Sequence, residues 1–237
     1  MPKHSKRFNE ATGLLEPEKK YAPAEAIAMV KQTASSKFDE TIELHLRTSA
    51  DPRHADQQLR GTATLPAGLG KDVRVAVFAN GEGARAANEA GADIVGSDDL
   101  IARIEGGFTD FDVAIATPDL MGKIGKLGRI LGRRGLMPNP RTNTVVQEGD
   151  IAAAVVEAKQ GRVELRMDRT AIIHSPMGKA SFGADQLLEN MTAIVDTINR
   201  LKPSGVKGPF VKTAFLTSTM GPSVPLDLPS TLTLTVE

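Results

Sequence analysis

Six cations fall within the stretch "GKIGKLGRILGRRGLMPNPRT", Gly122–Thr142: Lys123, Lys126, Arg129, Arg133, Arg134 and Arg141. No acidic residue occurs between Asp119 and Glu148. Guanidinium forks match phosphate oxygens two N–H groups at a time, and lysine adds a point charge. The interleaved glycines would let backbone N–H groups approach an anion closely. A solvated loop beside helix ends is the plainer reading. The lack of any carboxylate tilts the choice toward an anion contact.

A second candidate is uncharged. In "KFDETIELHLRTS" the apolar Ile42, Leu44 and Leu46 alternate with Thr41, Glu43, His45 and Arg47. That period of two describes a strand with one buried and one polar face. In "PFVKTAFLTSTMG" Thr213, Phe215, Thr217 and Thr219 share one side. Threonine hydroxyls both donate and accept, so such a row could read phosphates and ribose 2′-OH groups. It could equally be the solvated side of an antiparallel sheet. The residues alone leave both readings open.

Other chemistry finds little support. Gly81-x-Gly83-x-x-Ala86 follows a strand and opens a helix, as a dinucleotide fingerprint would. A tight structural turn needs the same glycines, and no acidic ribose partner ends the next strand. A nucleotide-dependent α/β enzyme built on this turn is the alternative function. "GLGKD" and "SPMGKAS" lack the full phosphate-loop frame. His4, His45, His54 and His174 have no metal-ligand spacing, and His45 reads as an exposed strand residue. There are no cysteines and no nucleophile elbow. No metal, cofactor or small-molecule substrate is expected.

The 237 residues suit one large domain or two small ones at about 150 residues per domain. No apolar run reaches the roughly 18 residues of a membrane span, and the N-terminus lacks an apolar signal core. A cytoplasmic protein is expected. The 29 cations balance the 29 anions, but basic residues gather at Lys3–Arg7 and in the 122–142 stretch. Local patches matter within a screening length of ~8–10 Å. Aromatics make up only 4%, so a broad base-stacking platform is excluded.

Pro23 opens a helix to about Thr33, followed by the "TIELHL" strand with "QLRGTATLP" as its partner. From about residue 71, "VRVAVFA" and "FDVAIATP" read as strands buried on both faces, alternating with helices, one of them capped by Ser97. This is a parallel α/β unit. A helix over "GDIAAAVVEAKQG" closes it at Gly161. The period of two then returns in "RVELRMDRTAIIHS". An amphipathic helix follows, with Leu187, Met191, Ile194, Val195, Ile198 and Leu201 inward. The expected fold is α/β with two domains. Residues 1–69 plus 161–237 form a discontinuous α+β domain with a half-exposed sheet. Residues 70–160 form an inserted Rossmann-like domain, hinged at Gly68, Gly70 and Gly161.

The blocks "SSKFDETIELHL", "LRGTATLP", "TPDLMGKIGKLGRILGRRGLMPNPRTNTV", "HSPMGKASF" and "TSTMGPSV" resemble, in order, the universal large-subunit ribosomal protein one family. The matched blocks run from Lys6 to about Val224. The resemblance implies a structural, non-enzymatic protein of the ribosome that binds the stalk segment of large-subunit rRNA. It further implies assistance to deacylated tRNA leaving the exit site and, in bacterial members, repression of the protein's own operon mRNA. Matched to the family's motifs, the RNA surface falls on Lys37, Phe38, Thr41, Glu43, Asp168, Thr170, Thr213, Thr217, Thr219, Met220, Gly221 and Ser223. Arg133 departs from the family's usual proline. The tail "PLDLPSTLTLTVE" lies beyond the motifs and reads as either a short edge strand or a loose end.

Overall fold

Residues 5–235 are described by the computed structural model, which leaves Lys3 and His4 outside. The chain divides into two compact units. One runs to Gly70 and resumes at Val163; the other is Lys71–Arg162. In chain order the elements begin with α1 (Lys6–Gly13), α2 (Pro23–Thr33), β1 (Thr41–Thr48) and β2 (Arg60–Thr64). The second unit carries β3 (Val75–Phe78), α3 (Gly81–Glu89), β4 (Ile94–Gly96), α4 (Asp98–Glu105) and β5 (Val113–Ala116). It continues with α5 (Met121–Ile124), α6 (Gly128–Arg134) and α7 (Ile151–Gly161). The chain returns through β6 (Arg162–Arg166), β7 (Ile172–Lys179), α8 (Ala184–Arg200), β8 (Val211–Ser218), β9 (Val224–Pro225) and α9 (Leu228–Leu232).

In the first unit a four-stranded sheet has the order β7-β1-β8-β9, all antiparallel. Ile42, Leu44 and Leu46 of β1 are buried, with Ile173 of β7 and Ala214 and Leu216 of β8. They share a core with Ile27 and Val30 of α2 and Leu187, Met191, Ile194 and Ile198 of α8. Truncating any of the large ones to alanine would cost about 2–5 kcal/mol. Because strand side chains alternate, burying this set turns Thr41, Glu43, His45 and Arg47 to the other face.

Several local expectations change. β2 does not pair with β1, whose two edges are taken by β7 and β8; β2 pairs with β6 in a separate two-stranded sheet. The alternating segment "RVELRMDRTAIIHS" is two strands in two sheets. A turn separates them, with Ala171 in the left-handed region at φ 63°. Leu201 does not point inward. It is 37% exposed and lies across Gly61 of β2, where a Cβ would push its terminal methyl aside. β8 ends at Ser218, so Thr219 belongs to the following turn. The C-terminal segment is ordered as β9 and α9, with the Asp227 carboxylate accepting from the Ser230 N–H.

In the second unit β4-β3-β5 form a parallel sheet with β3 central. Ala76 and Phe78 face a core with Leu100 and Ile104 of α4, Ile124 of α5 and Leu131 of α6. Val75 and Val77 face Ala87 of α3 and Val155 of α7. The Ser97 hydroxyl makes no cap bond to α4; instead the Asp99 carboxylate accepts from the Ser97 N–H at 2.9 Å. Among the described residues no helix is long and apolar enough to cross a membrane.

Candidate nucleic-acid interface

The open face of the four-stranded sheet gathers the polar residues of three strands. In register, Glu43 lies opposite Thr217, Arg47 opposite Thr213, and His45 between His174 and Phe215. From Thr41 to Arg47 the face is about 20 Å long at ~3.3 Å per residue. Lys37, Phe38, Thr41, Thr219, Met220, Gly221 and Ser223 gather at its Thr41 end. Asp168, Thr170 and Thr213 mark the Arg47 end, with Glu43 and Thr217 between.

One buried carboxylate builds the first end. Glu40 is 1% exposed, and it accepts from the Ser36 N–H at 2.8 Å and the Met220 N–H at 2.9 Å. Burial, the largest influence, pushes its carboxyl up, but those two N–H donors together with the Ser218 and Ser36 side chains hold it below its ordinary value. Glu40 thus ties the 36–40 loop to the turn after β8. Phe38, 55% exposed, and Met220, 51% exposed, stand on those two segments. Gly221 is required there, because a Cβ would run into the Ser218 hydroxyl.

Much of the hydroxyl row is engaged within the protein. Thr219 Oγ1 accepts from the Thr41 N–H at 2.9 Å and donates to the Thr41 carbonyl at 3.2 Å. Lys179 Nζ donates to Thr41 Oγ1 at 2.9 Å. Asp168 accepts from the Thr170 and Ile172 N–H groups and the Thr170 hydroxyl, forming a closed turn. Burial raises its carboxyl; the Thr170 hydroxyl, those N–H groups and His174 together hold it below its ordinary value. Each of these engaged hydroxyls keeps unused capacity toward a ligand, but rotating it breaks a bond.

His45 is not the exposed strand residue expected. Its Nδ1 lies 2.8 Å from Nδ1 of His174, and its Nε2 lies 2.9 Å from Thr217 Oγ1. Burial, then the neighbouring His174, hold the His45 ring below its ordinary value against the pull of Glu43. The pairing escapes sequence reasoning because 129 positions separate the rings and only the β1–β7 register joins them. No group of three or more potential metal ligands occurs among the described residues.

The basic stretch is helical rather than a loop. α5, a short 3-10 turn and α6 run on into a left-handed Gly135. Ile124, Leu127 and Leu131 face the core, while Gly122, Gly125, Gly128 and Gly132 meet nothing on their open sides. The N–H groups of Gly125 and Gly128 close turns onto the Met121 and Gly125 carbonyls, so they do not point outward. Lys123 pairs with Asp98 at 2.6 Å and Arg134 bonds the Thr109 hydroxyl. Lys126, Arg129, Arg133 and Arg141 are exposed and make no ion pair among the described residues. Arg133 sits in the last turn of α6, where a cation suits the helix dipole.

The Gly81–Ala86 turn has a packing role. A Cβ on Gly83 would meet Ile151 of α7 at 2.9 Å, and Gly81 takes φ 53° to start α3. Gly68, Gly70 and Gly161 also hold positive φ, at 73°, 67° and 106°. Buried Asn190 accepts from the Ala67 N–H and donates to the Gly68 carbonyl. Gly70 lies against Phe182 and Lys179, where a Cβ would clash. The chain is therefore held to the first unit through Gly70. On the return strand Arg162 donates to the Thr142 and Asn143 carbonyls of the second unit.

An antiparallel sheet with one helix-covered and one polar face, joined to an inserted parallel α/β unit, defines the class of protein. The model of the Ribosomal protein L1p/L10e family matches residues 30–222. The chain belongs to that family. It is 57% identical over 228 residues to a Large ribosomal subunit protein uL1 of Dehalococcoides mccartyi, covering 96% of each chain. It is 56% identical over 229 residues to the protein of that name from Chloroflexus aggregans, covering 96% of this chain and 97% of the relative. The Thermomicrobium roseum relative of the same name is 56% identical over 233 residues, 98% and 97% covered.

Proposed function

We propose that the chain is a structural, non-enzymatic component of the large ribosomal subunit, in the cytoplasm, that binds the stalk segment of its rRNA through the open sheet face. The observation that carries this is the corner held by Glu40. In a chain whose relatives are large-subunit proteins, two exposed apolar side chains, Phe38 and Met220, are fixed beside a row of hydroxyls. Exposed apolar tips can stack on splayed bases, and hydroxyls and carboxylates can meet ribose 2′-OH groups. The basic helices of the second unit are the secondary contact, reaching exit-site tRNA or nearby rRNA. A hinge at Gly68, Gly70 and Gly161 joins the two units; the hold of the first unit on Gly68 and Gly70 supports bending just past Gly70. By the same surface the protein represses its own operon mRNA.

Equilibrium binding of the full chain to a transcript of the stalk segment tests this reading. Nanomolar affinity that falls as salt rises from 0.1 to 0.3 M, and a much weaker grip on an unrelated hairpin, are expected; the ~1 nM scale corresponds to about 12 kcal/mol. Equal affinity for both RNAs would sink the proposal.

A further inference from the structure

The centre of the open face poses a charge problem. Facing His45 are Glu43 on β1, with Oε2 3.8 Å from its Nε2, and His174 on β7. Asp168, on the turn before β7, approaches His174 Nε2 to 3.6 Å. Arg47 lies two residues further along β1 and Lys179 at the far end of β7, while β8 adds no charge from Thr213 to Thr217. With neutral imidazoles the groups beside the two rings are the Glu43 and Asp168 carboxylates, with Arg47 and Lys179 standing to either side. An RNA phosphate brought onto His45 would meet those carboxylates first.

The hydrogen-bond network has one vacancy for a proton. With the His174 proton assigned to Nε2, the ring nitrogen 3.6 Å from Asp168, its Nδ1 is the acceptor for His45 Nδ1–H. His45 Nε2 is then bare and accepts the Thr217 hydroxyl proton. A proton added at His45 Nε2 preserves the Nδ1–H···Nδ1 bond and makes it charge-assisted. It also reverses the Thr217 bond: the ring now donates to Thr217 Oγ1, and the hydroxyl turns its own proton outward. A second proton would set two donors face to face, so the pair accommodates one.

We propose that His45, His174 and Thr217 form a proton-coupled phosphate contact at the middle of the RNA face. Docking of an RNA phosphodiester takes up one proton at His45 Nε2 and is answered by the outward Thr217 hydroxyl. This inference rests on the RNA-binding reading above. His45 enters binding neutral near pH 7, because burial and His174 hold it below its ordinary value. A bound polyanion favours the protonated ring, so affinity rises as pH falls, by tenfold for each unit that binding raises the titration of His45.

The test measures the dissociation constant of the full chain for the stalk-segment transcript between pH 8 and 5.5. It compares the wild type, His45→Gln and Thr217→Val, with proton NMR of the His45 ring in the free and RNA-bound wild type. Wild-type binding should tighten about tenfold over that range while both variants stay nearly flat, and the His45 titration should move to higher pH in the complex. Tight binding with no pH slope, the same slope in His45→Gln, or an unmoved wild-type ring would each overturn the proton-coupled contact and leave the RNA reading intact. The NMR arm does not depend on either variant folding. No binding at any pH would remove both.

Discussion

Thr219 and Met220 are neighbours on one turn with different work to do. The Met220 side chain reaches solvent, and its N–H is held by Glu40. The Thr219 hydroxyl bonds both backbone groups of Thr41 at the start of β1. Met220→Ala should therefore leave stability within about 0.5 kcal/mol and weaken rRNA binding roughly tenfold. Thr219→Ala should weaken binding and also cost about 1 kcal/mol of stability, since two bonds are lost. Chemical denaturation and RNA titration of both variants check this; an unchanged affinity for Met220→Ala would remove the corner from the interface. The resemblance to the family added Met220; the alternating pattern put Thr219 on the polar side of a strand. It could not show that Thr219 answers a backbone 178 positions away, nor that His45 meets His174, because cross-strand register is invisible to local periodicity.

At the scale of elements, the basic helices present cations as a charged surface, with their backbone donors already used. Such a surface attracts phosphates with little regard to sequence. Replacing Lys126, Arg129 and Arg133 together by Gln should leave stalk-segment affinity within about twofold. The slope of tRNA binding against log salt should become shallower by about 2 to 3, near 0.7–0.9 per cation. Filter binding across a salt series measures both, and unchanged tRNA binding would exclude this segment as a contact. The periodicities of β1, α2 and α8 made them readable, because each buries one face against the same core. The partners of β2, and the helical state of the glycine-rich stretch, were not. Both depend on what the rest of the chain leaves available: β1 has no free edge, and Ile124, Leu127 and Leu131 have a core to join.

For the molecule as a whole, every residue assigned to the main RNA surface lies in the unit formed by the two chain ends. Residues 5–70 joined by a short flexible linker to 163–235 should fold and retain rRNA affinity within about tenfold of the full chain, a loss of no more than ~1.4 kcal/mol. Circular dichroism establishes whether that piece folds. A folded piece that does not bind would move the main site to the inserted unit. The division into an α+β part and a parallel α/β part was legible because the hydrophobic period changes twice, near Gly70 and near Gly161.

The place of β1 in its sheet also sets an order of assembly. Its neighbours β7 and β8 are made more than 120 residues later, after the whole second unit. During synthesis the contiguous Lys71–Arg162 segment has all of its own strands before β1 has any. The alternating strand "TIELHL" must wait for both sheet neighbours, with Ile42, Leu44 and Leu46 still lacking the α8 part of their core. Non-local pairing of this kind slows folding and leaves strand edges open to aggregation. The binding face is thus completed late, and a chain cut short before β8 carries a complete inserted unit but only the β1–β7 pair of the four-stranded sheet, without the Thr213–Thr217 row with which to hold RNA.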